Sequence, residues 1–298
     1  MSLPTVCAVI VSFHPNEALL ANVRALRPQV DELLIMDNAS GPASADLLQR
    51  CAALGAQVRH LPDNIGIAAA LNLAVEHARQ QGHTWLATFD QDSRVSPDML
   101  ATLLTTYQQM PQPETVAALS PRYHNQRSGA ILTSEAMRLP QDPALPWVEV
   151  FVVLTSGNLV KLSTFERVGL FNEAYFIDHV DTEFCLRCHA HGLKIMEIKA
   201  ARLLHCIGEP SPVKIFDRLK HTSNHSALRR YYLTRNSLYM YRTFFWRFPA
   251  WITRNFLILL RAWAMVWFEP ETPRKLRAIL HGLWDGLRGK LGKARQTF

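Results

Sequence analysis

Four short apolar runs, Val6 to Phe13, Leu33 to Met36, Val58 to Leu61 and Trp85 to Phe89, alternate with stretches of helical texture. No other feature of the chain restricts its fold as much. Strands that alternate with helices imply a mostly parallel sheet covered by helices, with ligands bound beyond the carboxyl ends of the strands. The runs end alike: in Ser12 and His14, in Asp37-Asn38, in Asp63-Asn64 before Gly66, and in Asp90-Gln91-Asp92. Any one of these ends is explained as a turn or a helix cap. Four in succession on one edge of one sheet point to a binding edge.

A helix is expected from Pro97 to about Gln109, then a strand at Val116 to Leu119 and a polar stretch to about Pro146. Val148 to Leu154 reads as a buried strand leading into the loop Thr155-Ser156-Gly157, with a short helix ending at Gly169. From Ser226 the texture changes to aromatic, arginine-rich helix in which Arg247, Arg254 and Arg261 recur every seven residues. The expected organisation is an α/β domain over 1–225, in two parts, 1–120 and 121–225, followed by a helical extension over 226–298.

With 48% hydrophobic and 19% charged residues the chain is not of the disordered class. Its net charge of +7, concentrated late, calls for an anionic partner: nucleic acid, a phosphorylated substrate or an acidic membrane surface. Charges interrupt every late apolar run, which disfavours a membrane-spanning helix. An interfacial helix with snorkelling arginines is expected, against one packed on the catalytic domain or on a second copy of the chain. The opening residues lack a basic region, so no cleaved signal is expected. Five cysteines without a regular framework agree with a reducing, cytoplasmic setting.

Asp90 and Asp92, one residue apart at a strand end, offer hard oxygen ligands suited to Mg2+ or Mn2+, ions usually shared between one or two carboxylates and a substrate's phosphates. A second acidic cluster, Asp178-His179-Val180-Asp181-Thr182-Glu183, reads as the opening of a helix. Asp178 and Asp181 would share one side of that helix and could converge on a reacting hydroxyl, although acids also favour a helix start through its dipole. Cys185-Leu186-Arg187-Cys188-His189 matches a haem-attachment spacing, but haem attachment needs export and no second cysteine pair completes a zinc site. These cysteines read as small apolar residues on a packed helix. His205 ends the strand-like Ala201 to Leu204, where an imidazole could reach a metal or a phosphate. Arg229-Arg230-Tyr231-Tyr232 with Arg235-Asn236 offers guanidinium groups for a diphosphate and rings for a sugar or a base.

Taken together these residues resemble the inverting glycosyltransferases of family 2, and within them the bacterial rhamnosyltransferases. The resemblance rests on Val9 to Phe13, Asp37 to Ser40, Asn64 to Ala68 with Asn72, Phe89 to Ser93, Thr155 to Gly157, Phe176 to Glu183, His205 and Arg229 to Asn236. With Leu283 to Gly289 added, it extends to the enzymes that add the second rhamnose in rhamnolipid synthesis. It implies an α/β GT-A fold, a Rossmann-like sheet flanked by helices with a helical C-terminal extension. It also implies a dTDP-L-rhamnose or other nucleotide-sugar donor, a Mg2+ or Mn2+ ion, and a glycolipid or lipid-linked saccharide acceptor. The place of action would be the inner face of the cytoplasmic membrane, with no role for nucleic acid.

By position, the donor would meet Ser12, His14, Asp37, Asn38, Asn64 and Gly66. Asn72, Asp90 and Gln91 would stand with them, and Arg230 and Arg235 would face the diphosphate. Asp92 and His205 would hold the metal, and Ser156, Gly157 and Tyr231 would border the acceptor. In the family the base is the Asp of a Glu-Asp pair. That Asp falls at Asp181, the Glu position is Val180, and Asp178 is the second candidate. Two competing expectations are a polysaccharide or O-antigen glycosyltransferase with another donor, and a non-catalytic basic binding protein that needs neither Asp92 nor Asp181.

Overall fold

The computed structural model describes residues 4–125, 131–132, 142, 144–205, 211–215, 218–222, 224–295 and 298. The chain divides into two compact units, residues 1–172 with 184–206, and residues 173–183 with 207–298.

The first unit opens with β1 (Val6–Ser12), α1 (Glu17–Leu26), β2 (Glu32–Asp37), α2 (Ala45–Ala53), β3 (Gln57–His60), α3 (Ile67–Gln80) and β4 (Trp85–Asp90). There follow β5 (Arg94–Val95), α4 (Met99–Gln108), β6 (Val116–Asn125), β7 (Ile131–Leu132), β8 (Trp147–Glu149), β9 (Asn158–Lys161) and α5 (Leu162–Val168). α6 (Val180–Ala190) begins in the second unit and ends in the first, and β10 (Lys194–His205) completes the sheet. The strand order among the described residues is β3-β2-β1-β4-β9-β6-β10-β5, with β7 on β6 and β8 on β10. Pairs β3-β2, β2-β1, β1-β4 and β6-β10 are parallel, while β9 runs against both its neighbours.

Central strands covered on both faces read as continuous apolar runs, and β1 is buried along nearly its whole length for that reason. α1 starts at Asn16, whose Oδ1 accepts from the backbone of Ala18 at 2.9 Å, a cap worth about 1 kcal/mol. It buries Leu19, Leu20, Val23 and Leu26 against Ile10, Leu33, Ile35 and Phe89. Each such aliphatic side chain contributes roughly 1.5–3 kcal/mol. α3 has no side-chain cap; Gly66 precedes it at φ 87°, a conformation open to glycine, and the helix buries alanines at 68, 70, 74 and 78.

Three expectations are corrected here. The strand expected over 148–154 is only Trp147–Glu149, at the margin of β10, and the buried strand nearby is β9. β9 is four residues long and directly follows a Thr-Ser-Gly loop, so pattern reading absorbs it into that loop. β10 runs from Lys194, well before the expected Ala201, because Lys194, Glu197 and Lys199 mask its alternation. Asp178 does not share a helix with Asp181: Asp178 and His179 take left-handed φ values of 62° and 64°, and α6 starts at Val180. The expected end of a short helix at Gly169 matches α5, which Gly169 caps at φ 82°.

The second unit contains the hairpin β11 (Ser211–Ile215) and β12 (Arg218–Thr222) and the helices α7 (Ala227–Phe244), α8 (Pro249–Met265) and α9 (Thr272–Leu287). α7 and α9 meet backbone to backbone. A Cβ on Gly282 would lie 2.7 Å from the carbonyl oxygen of Tyr231, and one on Gly286 would lie 2.9 Å from that of Arg235. Among the described residues no helix is long and apolar enough to cross a membrane.

Candidate functional site

Register sets the polar strand ends side by side. Ser12 pairs with Asp37, Asp37 with His60, and Val11 with Asp90. Asp37 is buried, and its Oδ1 accepts from the hydroxyls of Ser12, at 3.4 Å, and of Ser40. Its Oδ2 lies 3.2 Å from Nδ1 of the exposed His60. Ser40 Oγ also accepts from the backbone of His14, and Asn38 Oδ1 accepts from that of Ile65, both at 2.9 Å. Asn64 Oδ1 accepts from the backbone of Gly66. The loops after β1, β2 and β3 are thereby tied into one shelf, with His14 exposed and Asn64 half-buried along it.

Asp90 to Ser93 form a tight turn between β4 and β5. Gln91 closes it against β1: its Oε1 accepts from the backbone of Phe13 at 2.9 Å, and its amide donates to the Phe13 carbonyl at 3.3 Å. Asn22, fully buried in α1, donates to the Asp90 carbonyl at 3.0 Å. From behind, Ser156 Oγ accepts from the backbone of Asp90 at 3.1 Å and meets Ser93 Oγ at 2.5 Å. Gly157, at φ 83°, sits where a Cβ would come within 2.8 Å of Pro121, so this loop packs directly on the sheet. Asp90 is half-buried and Asp92 is exposed on a turn fixed from three sides.

The second acidic cluster lies in the other unit. Asp178 is 7% exposed; one oxygen accepts from Arg229 Nε at 3.1 Å, and Oδ2 is buried without a hydrogen-bond partner. Burial pushes its carboxyl up to about 6, against the pull of Arg229 and with help from the charge of Asp181. Asp181 is half-buried in the first turn of α6, and its Oδ1 accepts from the Thr182 backbone at 2.7 Å. His179 is held by Ser237 Oγ at 2.9 Å, and burial lowers its imidazole to about 4, so it stays neutral at pH 7.

Residues 7–149, all within the first unit, match the sequence family described as Glycosyl transferase family 2. The chain is a glycosyltransferase. Among curated proteins, dTDP-rhamnosyl transferase RfbF of Shigella flexneri is 27% identical to it over 299 residues, covering 97% of either chain. Among solved structures, GalNAc-T7 with UDP, GalNAc and Mn2+ is similar at a TM-score of 0.59 and 14% identity, over 84% of this chain and 50% of that one. S. aureus TarS 1–349 in complex with UDP-GlcNAc is similar at a TM-score of 0.55 and 11% identity, over 96% and 92%. These likenesses establish a GT-A type of fold: a mixed, mostly parallel sheet with helices and a helical C-terminal region.

Within the glycosyltransferase the expected residues are distributed unevenly. Ser12, His14, Asp37, Asn38, Asn64, Gly66, Asp90, Gln91 and Asp92 share the carboxyl edge of the first unit's sheet. Asn72 is buried in α3, where its amide clamps the backbone of Phe171 at 2.9 Å in both directions. Ser156 is fully buried and supports the Asp90 turn from within. In the second unit Arg230 is 3% exposed and meets Glu269 at 2.5 Å, whose other oxygen takes Lys275 at 2.9 Å. Tyr231 is buried and donates to Asp285 at 2.8 Å. Arg235 is buried against Tyr231 and Tyr232 and spends its donors inside the unit. A surface role toward a diphosphate does not suit a side chain so enclosed. His205 closes β10, and its side chain lies outside the described residues.

Asn22 and Ser93 escaped sequence reasoning as site residues, while Arg229 and Asn236, read there toward a diphosphate, instead meet Asp178 and the loop before α6. A charged partner for Asp178 was available in the arginine run, but Asn22 and Ser93 have no signal beyond their place in the fold. The exposed, hard-oxygen chemistry of Asp92 fits a divalent ion shared with a diphosphate. Among the described residues, Cys7, Glu32 and His83 are the group with ligand atoms close enough to hold a metal. Glu32 already accepts from His77, His83 and Gln57, and burial pushes the Cys7 thiol up to about 12. That group is a hydrogen-bonded network at the opposite strand ends.

Proposed function

We propose that this glycosyltransferase moves L-rhamnose from dTDP-L-rhamnose, with inversion, to a hydroxyl of a glycolipid or lipid-linked saccharide. The observation that carries this reading is the end-to-end similarity to dTDP-rhamnosyl transferase RfbF. The tied shelf of Ser12, Asp37, Asn38 and Asn64 supports nucleotide binding at the strand ends, and the exposed Asp92 supports a Mg2+ or Mn2+ ion there. When bound, such an ion neutralises charge on the leaving diphosphate.

Asp181 is the proposed base: half-exposed at the start of α6, it takes the proton of the acceptor hydroxyl. That oxygen attacks the anomeric carbon, and the bond from this carbon to the diphosphate breaks with its electron pair left on dTDP. Asp178, enclosed beside Arg229, is placed to tune its neighbour. Mono-rhamnolipid is the acceptor favoured by the Leu283 to Gly289 motif. α8 buries only Trp251, Ile252 and Leu259, and exposes Phe256, Leu257, Ile258 and Leu260. That unburied apolar face, with Arg254 and Arg261, supports work at the inner face of the cytoplasmic membrane.

The test offers purified protein dTDP-L-rhamnose and Mn2+ with mono-rhamnolipid and lipid-linked saccharides side by side, and reads products by mass. Gain of one deoxyhexose on either acceptor supports the reading. Stabilisation by UDP or GDP but not dTDP in a thermal-shift titration would overturn the donor.

A further inference from the structure

Residues 176–179, which lead into Asp181, enter three times a conformation that L-residues avoid. Phe176, Asp178 and His179 all have positive φ, at 63°, 62° and 64°. Such conformations clash with a Cβ and persist only where the surroundings dictate them. Here three consecutive residues of α7 do so. The side-chain amide of Asn236 donates toward the carbonyl oxygens of Tyr175 at 3.0 Å, Ile177 at 2.8 Å and Asp178 at 3.0 Å. Two amide hydrogens are thus shared among three carbonyls that converge only because the loop is coiled left-handed.

The amide's orientation is set from its other side, where Asn236 Oδ1 accepts from Arg235 Nε at 2.9 Å. Turned over, it would face its oxygen toward three carbonyl oxygens. Arg235 is itself fixed: Nη2 donates to the Tyr175 carbonyl at 3.2 Å, Nη1 to that of Gly292 at 2.6 Å, and its Cζ lies 4.8 Å from the centroid of the Tyr232 ring and 5.3 Å from that of Tyr231. Ser237 holds His179. Asn236 is fully buried and Arg235 is 1% exposed.

We propose that Asn236, oriented by Arg235, is a positioning residue for catalysis. It imposes the left-handed path of the loop and so sets where α6 begins and where the carboxylate of Asp181 is presented. This rests on Asp181 being the base, as proposed above. Neither α7 residue touches substrate in this scheme. Arg235 and Asn236 owe their place in the sequence to the loop.

The experiment compares Asn236→Asp, Arg235→Lys and Asp181→Asn with the parent protein, in kinetics, in dTDP-Mn2+ thermal shift and in hydrogen exchange. Asn236→Asp keeps shape but turns a donor into an acceptor facing three carbonyls. The expected result is a kcat loss of about 100-fold, as for an ångström-scale misplacement. Donor KM and the dTDP-Mn2+ shift should stay within about twofold, with faster exchange confined to 175–182. Arg235→Lys keeps the charge and loses the Nε donor; it should give a smaller kcat loss with the same local exchange, and it decides the matter if Asn236→Asp does not fold. Parental kcat in a folded variant, or kcat and donor binding falling together with global exchange, would overturn the proposal. Full activity of Asp181→Asn removes the base reading instead, and the exchange pattern then still judges the loop's dependence on Asn236.

Discussion

The hydroxyl of Ser156 accepts from the backbone N–H of Asp90 at 3.1 Å, so a fully buried residue just before β9 holds the turn that carries Asp92. Losing such an acceptor costs about 1–3 kcal/mol. Ser156→Ala is therefore expected to fold and to weaken Mn2+-dependent dTDP binding by roughly tenfold, measured by calorimetric titration. Unchanged affinity would show that the turn keeps its shape without this support.

Asp92 is exposed, and its substitution touches no packing. Asp92→Asn should shift the unfolding midpoint by an amount within about 0.5 kcal/mol of parental stability. The added stabilisation that Mn2+ gives in the presence of dTDP should vanish. Differential scanning fluorimetry with and without each ligand separates the two effects, and a retained Mn2+ response would move the metal elsewhere.

Asp178 carries a sign that can be tested. Its folded pKa of about 6 exceeds the ordinary 3.8, so its stabilising contribution is complete below about pH 4 and is lost as pH rises through about 6. The shift is equivalent to about 3 kcal/mol. Asp178→Asn should accordingly gain on the parent between pH 4 and pH 7.5 by an amount of that order in urea unfolding. His179 and His225, both lowered to about 4, titrate in either protein and cancel in the difference. A pH-independent difference would mean that Arg229 holds the carboxylate ionised throughout.

The shelf was legible because its residues sit at strand ends, where the apolar run that marks a strand also marks the position of its last residue. Ser12, Asp37 and Asp90 needed only that period and the parallel topology. The second unit was not legible in the same way. Arg230 and Arg235 carry charges that pattern reading assigns to a surface, yet Glu269 lies 39 residues beyond Arg230, and Arg235 is received by Tyr175, 60 residues earlier. The left-handed Asp178 was hidden because an acidic run before Phe184 has the composition of a helix start, and the α7 residues that bind the preceding loop, Arg235, Asn236 and Ser237, lie more than 50 residues further on.

Gly286 tests the α7 and α9 contact. A methyl group there would lie 2.9 Å from the carbonyl of Arg235 and 3.1 Å from Leu238, and a backbone carbonyl cannot rotate away. Gly286→Ala gains helix propensity but should lose a net 1–3 kcal/mol, roughly the scale of overpacking. Gly289→Ala, with open space around it and φ 68°, reports the cost of backbone conformation alone. Equal midpoints for Gly286→Ala and the parent would show that the helices separate easily.

The charge of the late helices makes the membrane reading quantitative. Residues 245–298 hold ten Lys or Arg and three Asp or Glu, a balance of +7 that accounts for the net charge of the whole chain. In the same segment Trp246 is 91% exposed, Trp267 67% and Leu257 61%. Each arginine near an anionic surface contributes about 1 kcal/mol, so replacing Arg247, Arg254 and Arg261 by Gln should weaken vesicle binding roughly a hundredfold at low salt. Replacing Trp246, Leu257 and Trp267 by Ser removes the inserting groups and should abolish the binding that survives high salt, since screening reaches the charges and not the apolar contact. Co-sedimentation with vesicles of neutral lipid, with and without anionic phospholipid, distinguishes the two. If the parent protein stays in the supernatant with both at low salt, the exposed face belongs to another partner.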